Sequence, residues 1–261
     1  FKGISKLNIE LDSSALDQLN QFKKKSLEQG LISKKEKQYV KAEVNSSPMT
    51  LRIKGDHIDH VEGHKMSLRI KDPSGNYSIH HPKSRGFLKE WLWHKVLRDE
   101  AILSNDYSFV ELILNNKRRG LFAKEAHFDT LFGLDQQKKG LVLKFNEDGL
   151  WEFQKIHDNK NLWQLYYVYD VAPITTFKFA KNTNGKRLNW FLEGGGIVTE
   201  LRKGKVDSTK IDLDAFAKFF ALSDLFVTTH GLEWNNIRFF YNAQTKKIEP
   251  IGYDGYEHYQ N

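Results

Sequence analysis

Two polar side chains near the end of the chain have the spacing of a pair of oxygen ligands. Asn236 and Asp254 bracket the stretch NNIRFFYNAQTKKIEPIGYD, in which apolar alternation on both sides of a central turn predicts a β-hairpin. They are 254 − 236 = 18 residues apart, which suits two strands and a turn. Because Mg²⁺ takes hard oxygen ligands and keeps several waters, one carboxamide and one carboxylate suffice if phosphates complete its shell. Ordinary turn and cap chemistry is the alternative.

A second group of residues could bind an anion. In the stretch KMSLRIK, strand alternation turns Met66, Leu68 and Ile70 towards a core and places Lys65, Ser67, Arg69 and Lys71 on the other face. Three cations on one strand face repel one another unless an anion such as a polyphosphate lies over them. The alternative is an exposed edge strand that is protected from aggregation by its charges.

Two further residues stand at the ends of apolar strands. Glu125 follows GLFAK and can hold a phosphate-binding lysine in place through an ion pair, as a Lys–Glu pair does in kinases. Lys144 ends GLVLK and either reaches into a site or extends along the surface to water. The stretch GDHIDHVEGH has the histidine spacing of a metal site, but the HExxH signature is missing, so we favour a loop there.

The elements that must position these residues are read from the same patterns. Alternation predicts strands in KLNIEL, YVKAEV, TLRIKG and GLVLKF, and YSFVELIL–NNKRR–GLFAKEA predicts a hairpin. A helix is predicted after Ser14, which can cap it, with an apolar stripe of Leu16, Leu19 and Phe22. A second helix is predicted in GFLKEWLWHKVLRDEAIL, with Leu88, Trp91, Leu92, Val96 and Leu97 on its apolar side.

The last long helix is predicted over residues 213–229, with Phe216, Phe219, Phe220 and Phe226 on its apolar side. Strands therefore come first, and the helix and the closing hairpin come later. This order predicts an α+β fold, with antiparallel strands in the N-terminal half and a helix plus a metal-binding hairpin in the C-terminal half.

Composition narrows the classes of function. The 261 residues, 39% of them hydrophobic and 13% aromatic, indicate a globular chain, and no apolar run is long enough to span a membrane. The absence of cysteine excludes disulfides, zinc–thiolate sites and cysteine nucleophiles. A net charge of +7 favours polyanionic ligands or an acidic surface partner, but the basic residues are too dispersed to indicate specific nucleic-acid binding.

Several stretches together resemble the CotH family, spore-coat-protein-H-like atypical protein kinases. They are LRIKGDHIDHVEGHKMSLRIK, ELILNNKRRGLFAKEAHFD, GLVLKFNEDGLW and NNIRFFYNAQTKKIEPIGYD, which occur in the family's order between Leu51 and Asp254. The resemblance implies a single compact kinase-like domain over residues 1–261, truncated or cleaved at its C-terminal end. It also implies a bacterial protein that is exported or at the cell surface, with the cytoplasm as the alternative.

The resemblance implies ATP and Mg²⁺ or Mn²⁺ as cofactors, and phosphate transfer to Ser or Thr of a protein substrate. By the same resemblance Asp254 and Asn236 are the metal ligands, Asp254 also being catalytic, Lys65 contacts phosphate and Glu125 is structural. Arg69, Lys71 and Lys144 complete the expected nucleotide-binding set.

One departure concerns the catalytic Asp that many family members carry upstream of the metal-binding Asn. The corresponding stretch here is LSDLFVTTHGLEWNN, where Asp224 comes early and His230 and Glu233 come nearer. We take His230 as the candidate general base. The alternatives are a catalytically weak nucleotide-binding or surface interaction module on the same fold, and a histidine-based metal hydrolase acting on a polyanion.

Overall fold

The chain folds into two compact units. The computed structural model of the chain describes residues 3–128, 139–157, 166–176 and 185–256. Within these residues, unit 1 contains 3–91 and 106–128, and unit 2 contains 92–105 and the described residues from 139 to 256. None of the described helices is both long and apolar enough to cross a membrane.

Unit 1 is a closed seven-stranded barrel with the strand order β1-β2-β3-β4-β5-β8-β7. All neighbouring strands are antiparallel except β1 and β7, which are parallel and close the barrel with Ser5 opposite Val110. The strands are β1 Ser5–Glu10, β2 Val40–Val44, β3 Ser47–Ile53, β4 Leu68–Lys71, β5 Tyr77–His80, β7 Tyr107–Leu114 and β8 Lys117–Ala126.

Alternation along each strand fills the barrel. One side of every strand contributes to a single apolar cluster, which includes Ile9, Leu51, Ile70, Ile79 and Phe122. The predicted hairpin between β7 and β8 is confirmed, and it turns at Asn115 and Asn116, whose φ values of 48° and 59° fit the tight turn that hairpins favour.

Helix α1, Ser13–Gln29, packs on the barrel through the predicted stripe of Leu16, Leu19 and Phe22. The expected cap is wrong by two positions. Asp12, and not Ser14, is the N-cap, and its Oδ1 accepts a hydrogen bond of 2.7 Å from the backbone N–H of Ala15. Both residue types can cap a helix, so the choice depends on where the preceding strand ends.

Unit 2 is built on a five-stranded sheet with the order β10-β9-β11-β12-β6. Two long helices, α5 (Gly185–Arg202) and α6 (Leu213–Phe226), pack on it, and Val198 and Phe216 join the core formed with Leu143 and Tyr241. The strands are β6 Leu103–Ser104, β9 Gly140–Phe145, β10 Ile174–Thr176, β11 Arg238–Asn242 and β12 Lys247–Gly252, and the helices are α3 Asp148–His157, α4 Tyr166–Val171, α5 Gly185–Arg202 and α6 Leu213–Phe226.

Helix α2, Leu88–Asp99, exists as predicted, and its buried face includes the predicted Leu97 but is rotated away from Leu88 and Leu92. Trp93 and Leu97 are fully buried together with the polar Glu90 and His94, whereas Leu88 is 64% exposed and Leu92 41% exposed. Hydrophobicity alone could not predict this buried face, because two of its residues, Glu90 and His94, are polar. Of the buried face, Trp93 and Leu97 belong to a small apolar cluster with Ile102 and Phe219.

The closing part of the chain follows the prediction. The last long helix ends at Phe226, three residues before the predicted end, and Phe220 is 48% exposed although we expected it on the apolar side. Strands β11 and β12 form the predicted closing hairpin, with Arg238 opposite Ile251. The chain is thus a mixed α+β fold, in which helices are combined with a closed barrel in unit 1 and with a second sheet in unit 2.

The buried face of α2 can be tested with two leucines of the same helix. We expect Leu97→Ala to destabilise unit 2 by about 2–5 kcal/mol because it leaves a cavity. We expect Leu92→Ala to cost less than about 1 kcal/mol because this side chain already meets water. Urea unfolding followed by fluorescence measures both variants, and a larger loss for Leu92→Ala would reverse the assignment of the face.

Candidate functional site

The outer face of the barrel carries a group of polar residues that are almost completely buried. Arg69, Ser78 and Glu125 lie opposite one another on successive strands, which places them in one row. His80 is two residues beyond Ser78 on the same face, and Lys54 directly follows β3. Lys54, Ser78, His80 and Glu125 are each less than 7% exposed.

Three of these side chains meet around one carboxylate oxygen. The ammonium of Lys54 lies 3.4 Å from Glu125 Oε2 and 3.1 Å from His80 Nε2. His80 Nε2 itself lies 3.2 Å from the same Oε2. We call Lys54, His80 and Glu125 the buried charge cluster. The cluster connects the end of β3 with β5 and β8. Strands β5 and β8 are direct neighbours in the barrel, whereas β4 lies between β3 and β5.

The ionisation of the cluster follows from its surroundings. Burial alone would raise the pKa of Glu125, but Lys54 and His80 outweigh it and hold that pKa well below its usual value. Burial, together with the positive charges of Lys54 and Arg85, lowers the pKa of His80 well below its usual value. At neutral pH the cluster therefore contains an ionised carboxylate and a neutral imidazole.

The loop after Lys54 approaches the cluster closely. Gly55 has a φ of 96°, and a Cβ there would lie 1.8 Å from the ring of His60, so only glycine fits. The ring of His60 in turn lies 5.6 Å from the ring of His80, centroid to centroid. The turn Pro82–Arg85 packs against β8 and adds the buried Arg85.

Some polar atoms on this face have no hydrogen-bond partner within the described part of the chain. They are the hydroxyls of Ser67 and Ser78 and Nδ1 of His80, and all three residues are at most 1% exposed. Buried groups of this kind are normally satisfied, by protein, by ordered water or by a bound polar ligand. Together with the nearby cations, they suit the oxygens of a phosphate.

The predicted cationic strand is only partly reproduced. Leu68 and Ile70 are buried in the barrel core, and Met66 packs against it, as predicted. Lys65, however, precedes β4 and its ammonium donates to the carbonyl of Leu121 at 2.9 Å and lies over the ring of Phe122. The lysine that pairs with Glu125 is thus Lys54, which the sequence reading did not single out.

The other two predicted cations take different surroundings. Arg69 lies opposite Arg52 on one side and Ser78 on the other, on the face of the buried charge cluster. Lys71 is exposed, and its ammonium lies 3.8 Å from the centre of the Tyr39 ring. Arg69 therefore shares the face of Lys54, whereas Lys71 contacts an aromatic side chain near the solvent.

In unit 2 the closing hairpin brings both of its ends to one place. Asn236 precedes β11 and Asp254 follows β12, so both lie at the open end of the hairpin. Arg238 connects the two ends, because it donates to the carbonyls of Asn235 and Ile237 while its guanidinium lies 4.9 Å from the centre of the Tyr253 ring.

The amide of Asn236 is held by a histidine. Asn236 Nδ2 lies 2.9 Å from Nε2 of His230, and Nδ1 of the same ring lies 3.4 Å from a carboxylate oxygen of Glu233. Because the amide nitrogen Nδ2 faces His230, the amide oxygen Oδ1 points away from this ring. An amide oxygen is a suitable ligand for a hard cation. Both ring nitrogens of His230 thus have contacts already.

Asp254 occupies an unusual backbone position. Its φ of 49° is in the left-handed region, which Asp tolerates better than most residues. The next residue, Gly255, leaves no room for a side chain, because a Cβ would lie 2.5 Å from the buried ring of Trp93. The backbone beside Asp254 is therefore fixed against α2.

The remaining predicted residue is Lys144, at the fifth position of β9. Its ammonium forms an ion pair of 3.0 Å with Glu147. Within the described ranges, no group of three or more His, Asp, Glu or Cys side chains is arranged to hold a metal ion. The oxygen donors of Asn236 and Asp254 nevertheless fit Mg²⁺ or Mn²⁺ in type, since such ions keep waters and take further oxygens from phosphates.

Comparison with known proteins adds no assignment. The sequence matches no protein-family model and no curated protein.

The sequence analysis singled out Glu125, Asn236 and Asp254 as candidate site residues, but not Lys54 or His80. The signal for both was available in strand alternation. In TLRIK, Lys54 falls on the face opposite to Leu51 and Ile53, and in YSIH, His80 falls on the face opposite to Tyr77 and Ile79. Neither strand end indicates which lysine pairs with Glu125, because that depends on the order of the strands in the barrel.

We predict that Glu125→Gln destabilises unit 1 by about 3–5 kcal/mol, because it leaves the charge of Lys54 buried without its counter-ion. Since the pKa of Glu125 is lowered by folding, its contribution is present above about pH 4.3 and is lost as the pH falls through the lower folded value. Thermal melting between pH 3 and pH 8 measures both effects.

The matched control is Lys25→Ala, which breaks the exposed Lys25–Glu36 pair of the same unit. It should change stability by less than about 1 kcal/mol. Equal losses for the two variants would contradict a special role for the buried pair.

Proposed function

We propose that this chain is an atypical protein kinase-like phosphotransferase of the CotH type, which binds ATP with Mg²⁺ or Mn²⁺ and phosphorylates Ser or Thr of a protein substrate. The observation that carries the proposal is the buried Lys54–Glu125 pair at 3.4 Å. A lysine held by a buried glutamate is the arrangement with which kinases present an ammonium to nucleotide phosphates. Lys54 thus replaces Lys65 as the proposed phosphate-binding lysine.

The second part of the proposal concerns the metal. Asn236 Oδ1 and the carboxylate of Asp254, at one end of the hairpin, would hold it. When bound, the metal neutralises the charge that develops on the phosphates. Within unit 2, His230 fixes the amide of Asn236, and Arg238 and Trp93 fix the backbone on either side.

The reaction would transfer the terminal phosphoryl group of ATP to a hydroxyl, with release of ADP and of the hydroxyl proton. His230 is the proposed acceptor of that proton. Its contact with Asn236 also supports a second candidate function, a nucleotide-binding or surface interaction module with weak catalysis. In that case His230 only orients Asn236, in the manner of residues that support metal ligands.

Nucleotide binding is tested with Lys54 against Lys65. We expect Lys54→Met to weaken the binding of ATP with Mn²⁺ by about tenfold or more while adenosine binding is unchanged, because only ATP presents phosphates. Lys65→Met should bind both ligands like the wild type. Calorimetry gives the affinities, and circular dichroism checks that both variants are folded. Equal ATP affinity of the Lys54 variant and the wild type would contradict the proposal.

The roles of Asp254 and His230 are separated by metal dependence. We expect Asp254→Asn to lose the gain in ATP affinity that Mn²⁺ confers, whereas Asp214→Asn, at an exposed position of α6, keeps it. If His230 is the base, His230→Ala lowers transfer of labelled phosphate to casein by about 10²–10⁴-fold at unchanged Mn²⁺–ATP affinity. If it only orients Asn236, the affinity falls together with the rate.

Wild-type protein that binds Mn²⁺–ATP tightly but transfers no phosphate, either to casein or to itself, would favour the interaction module. A wild type that binds neither ATP nor Mn²⁺ would reject both candidate functions.

A further inference from the structure

We propose that His80 is a positioning residue for Lys54, whose ammonium it holds beside Glu125 by accepting a hydrogen bond at Nε2. The site of this inference is the buried charge cluster, and its meaning for nucleotide binding rests on the function proposed above. Kinase-type lysine–glutamate pairs need only two residues. Here a third side chain contacts both members.

The distances show that His80 contacts the ammonium of Lys54 directly. Nε2 is 3.1 Å from the ammonium, which is closer than the 3.4 Å that separates the ammonium from Glu125 Oε2. A neutral imidazole has one acceptor nitrogen, and an ammonium has three donors and no acceptor. The contact between Nζ and Nε2 is therefore a hydrogen bond only if Nε2 carries no proton.

The proposal requires one form of the ring. With Nε2 as the acceptor, the proton of the neutral ring is on Nδ1, for which no hydrogen-bond partner is found within the described residues. The ammonium then donates to two acceptors, Nε2 and Oε2 of Glu125, which lie 3.2 Å apart and are held together by its positive charge. With the proton on Nε2, the ring would donate to Glu125 at 3.2 Å and would turn an N–H towards the ammonium. Two donors facing each other at 3.1 Å repel, so the lysine would have to move away from the ring.

The charged groups around the ring act in the same direction. Lys54 and Arg85 both oppose a positive imidazole, while Glu125 favours one. Further titratable groups lie nearby: the ring of His60 is tilted by 45° against that of His80, and Asp59 lies 3.9 Å from His60. His80 is fully buried, so water cannot screen these charges.

A consequence is that acid should release the lysine. Protonation of His80 would remove the acceptor and place a second positive charge 3.1 Å from the ammonium. The folded ring takes up its proton below about pH 6.5, the ordinary value for histidine, because burial and neighbouring cations lower its pKa. Between neutral pH and that lower value the lysine stays in place.

Two variants separate positioning from simple packing. In His80→Gln the side-chain amide can present an oxygen to Lys54 and does not titrate. His80→Leu fills the space but offers no acceptor. Melting temperature, measured for both, shows whether the barrel is intact, and the exposed His64→Gln serves as the control for loss of a histidine.

The first measurement needs no nucleotide. Nitrogen-15 NMR of the histidine rings reports which nitrogen of His80 carries the proton between pH 5 and pH 8. We expect the proton on Nδ1 in neutral solution, together with a Lys54 ammonium signal that is sharp in the wild type and in His80→Gln and broadened in His80→Leu. A ring protonated on Nε2, or on both nitrogens at pH 7, would overturn the proposal.

The second measurement is ATP affinity with Mn²⁺ at about pH 7.5, with adenosine as the reference ligand. We expect His80→Leu to weaken ATP binding by about tenfold and His80→Gln to bind ATP like the wild type. Wild-type affinity in a folded His80→Leu would overturn the role.

The two parts fail separately. If the wild type binds no ATP while the NMR result holds, the proposed function is wrong and the contact between His80 and Lys54 stands. If ATP binds but the ring carries its proton on Nε2, the function stands and the role of His80 is wrong.

Discussion

A charged side chain can be buried only when a partner of opposite charge compensates for the hydration that it loses, and the arrangement of strands in unit 1 depends on this constraint. Lys54 and Glu125 lose almost all contact with solvent, and their mutual attraction offsets that cost only while the two side chains stay within a few ångströms. The spacing in turn depends on β3, β5 and β8 remaining in register. The same strands must therefore keep a register that both packs the apolar interior and holds the buried charges together on the outer face.

In unit 2 the candidate ligands must be held in place without the help of strand pairing. Its candidate ligands are not in a strand but just beyond the ends of two paired strands, where the backbone has no ladder to fix it. Arg238, the ring of Tyr253 and the ring of Trp93 do so instead, through hydrogen bonds and close packing on either side. Pre-organisation of this kind lowers the entropy that ion binding would cost.

Sequence patterns were sufficient wherever the deciding interaction is local. The hairpins, the α+β class and the positions of Asn236 and Asp254 follow from alternation and turn chemistry. The patterns were insufficient where partners come from distant strands. The buried face of α2 contains Glu90 and His94, which hydrophobicity ranks as exposed. The partner of Glu125 lies 71 residues away in sequence, and the sequence favoured Lys65, because only the strand order shows that Lys54 is the lysine beside Glu125.

The pairing of β1 with β7 has a consequence for the newborn chain. Ser5 meets Val110, and Leu11 bonds the side chain of Asn115, 104 residues further on. On the ribosome, the edge of β1 that pairs with β7 must therefore wait until more than a hundred further residues have emerged, whereas its other edge can pair with β2 much earlier. Contacts of such long range slow folding, and the open edge of β1 in the meantime is a surface that chaperones can recognise.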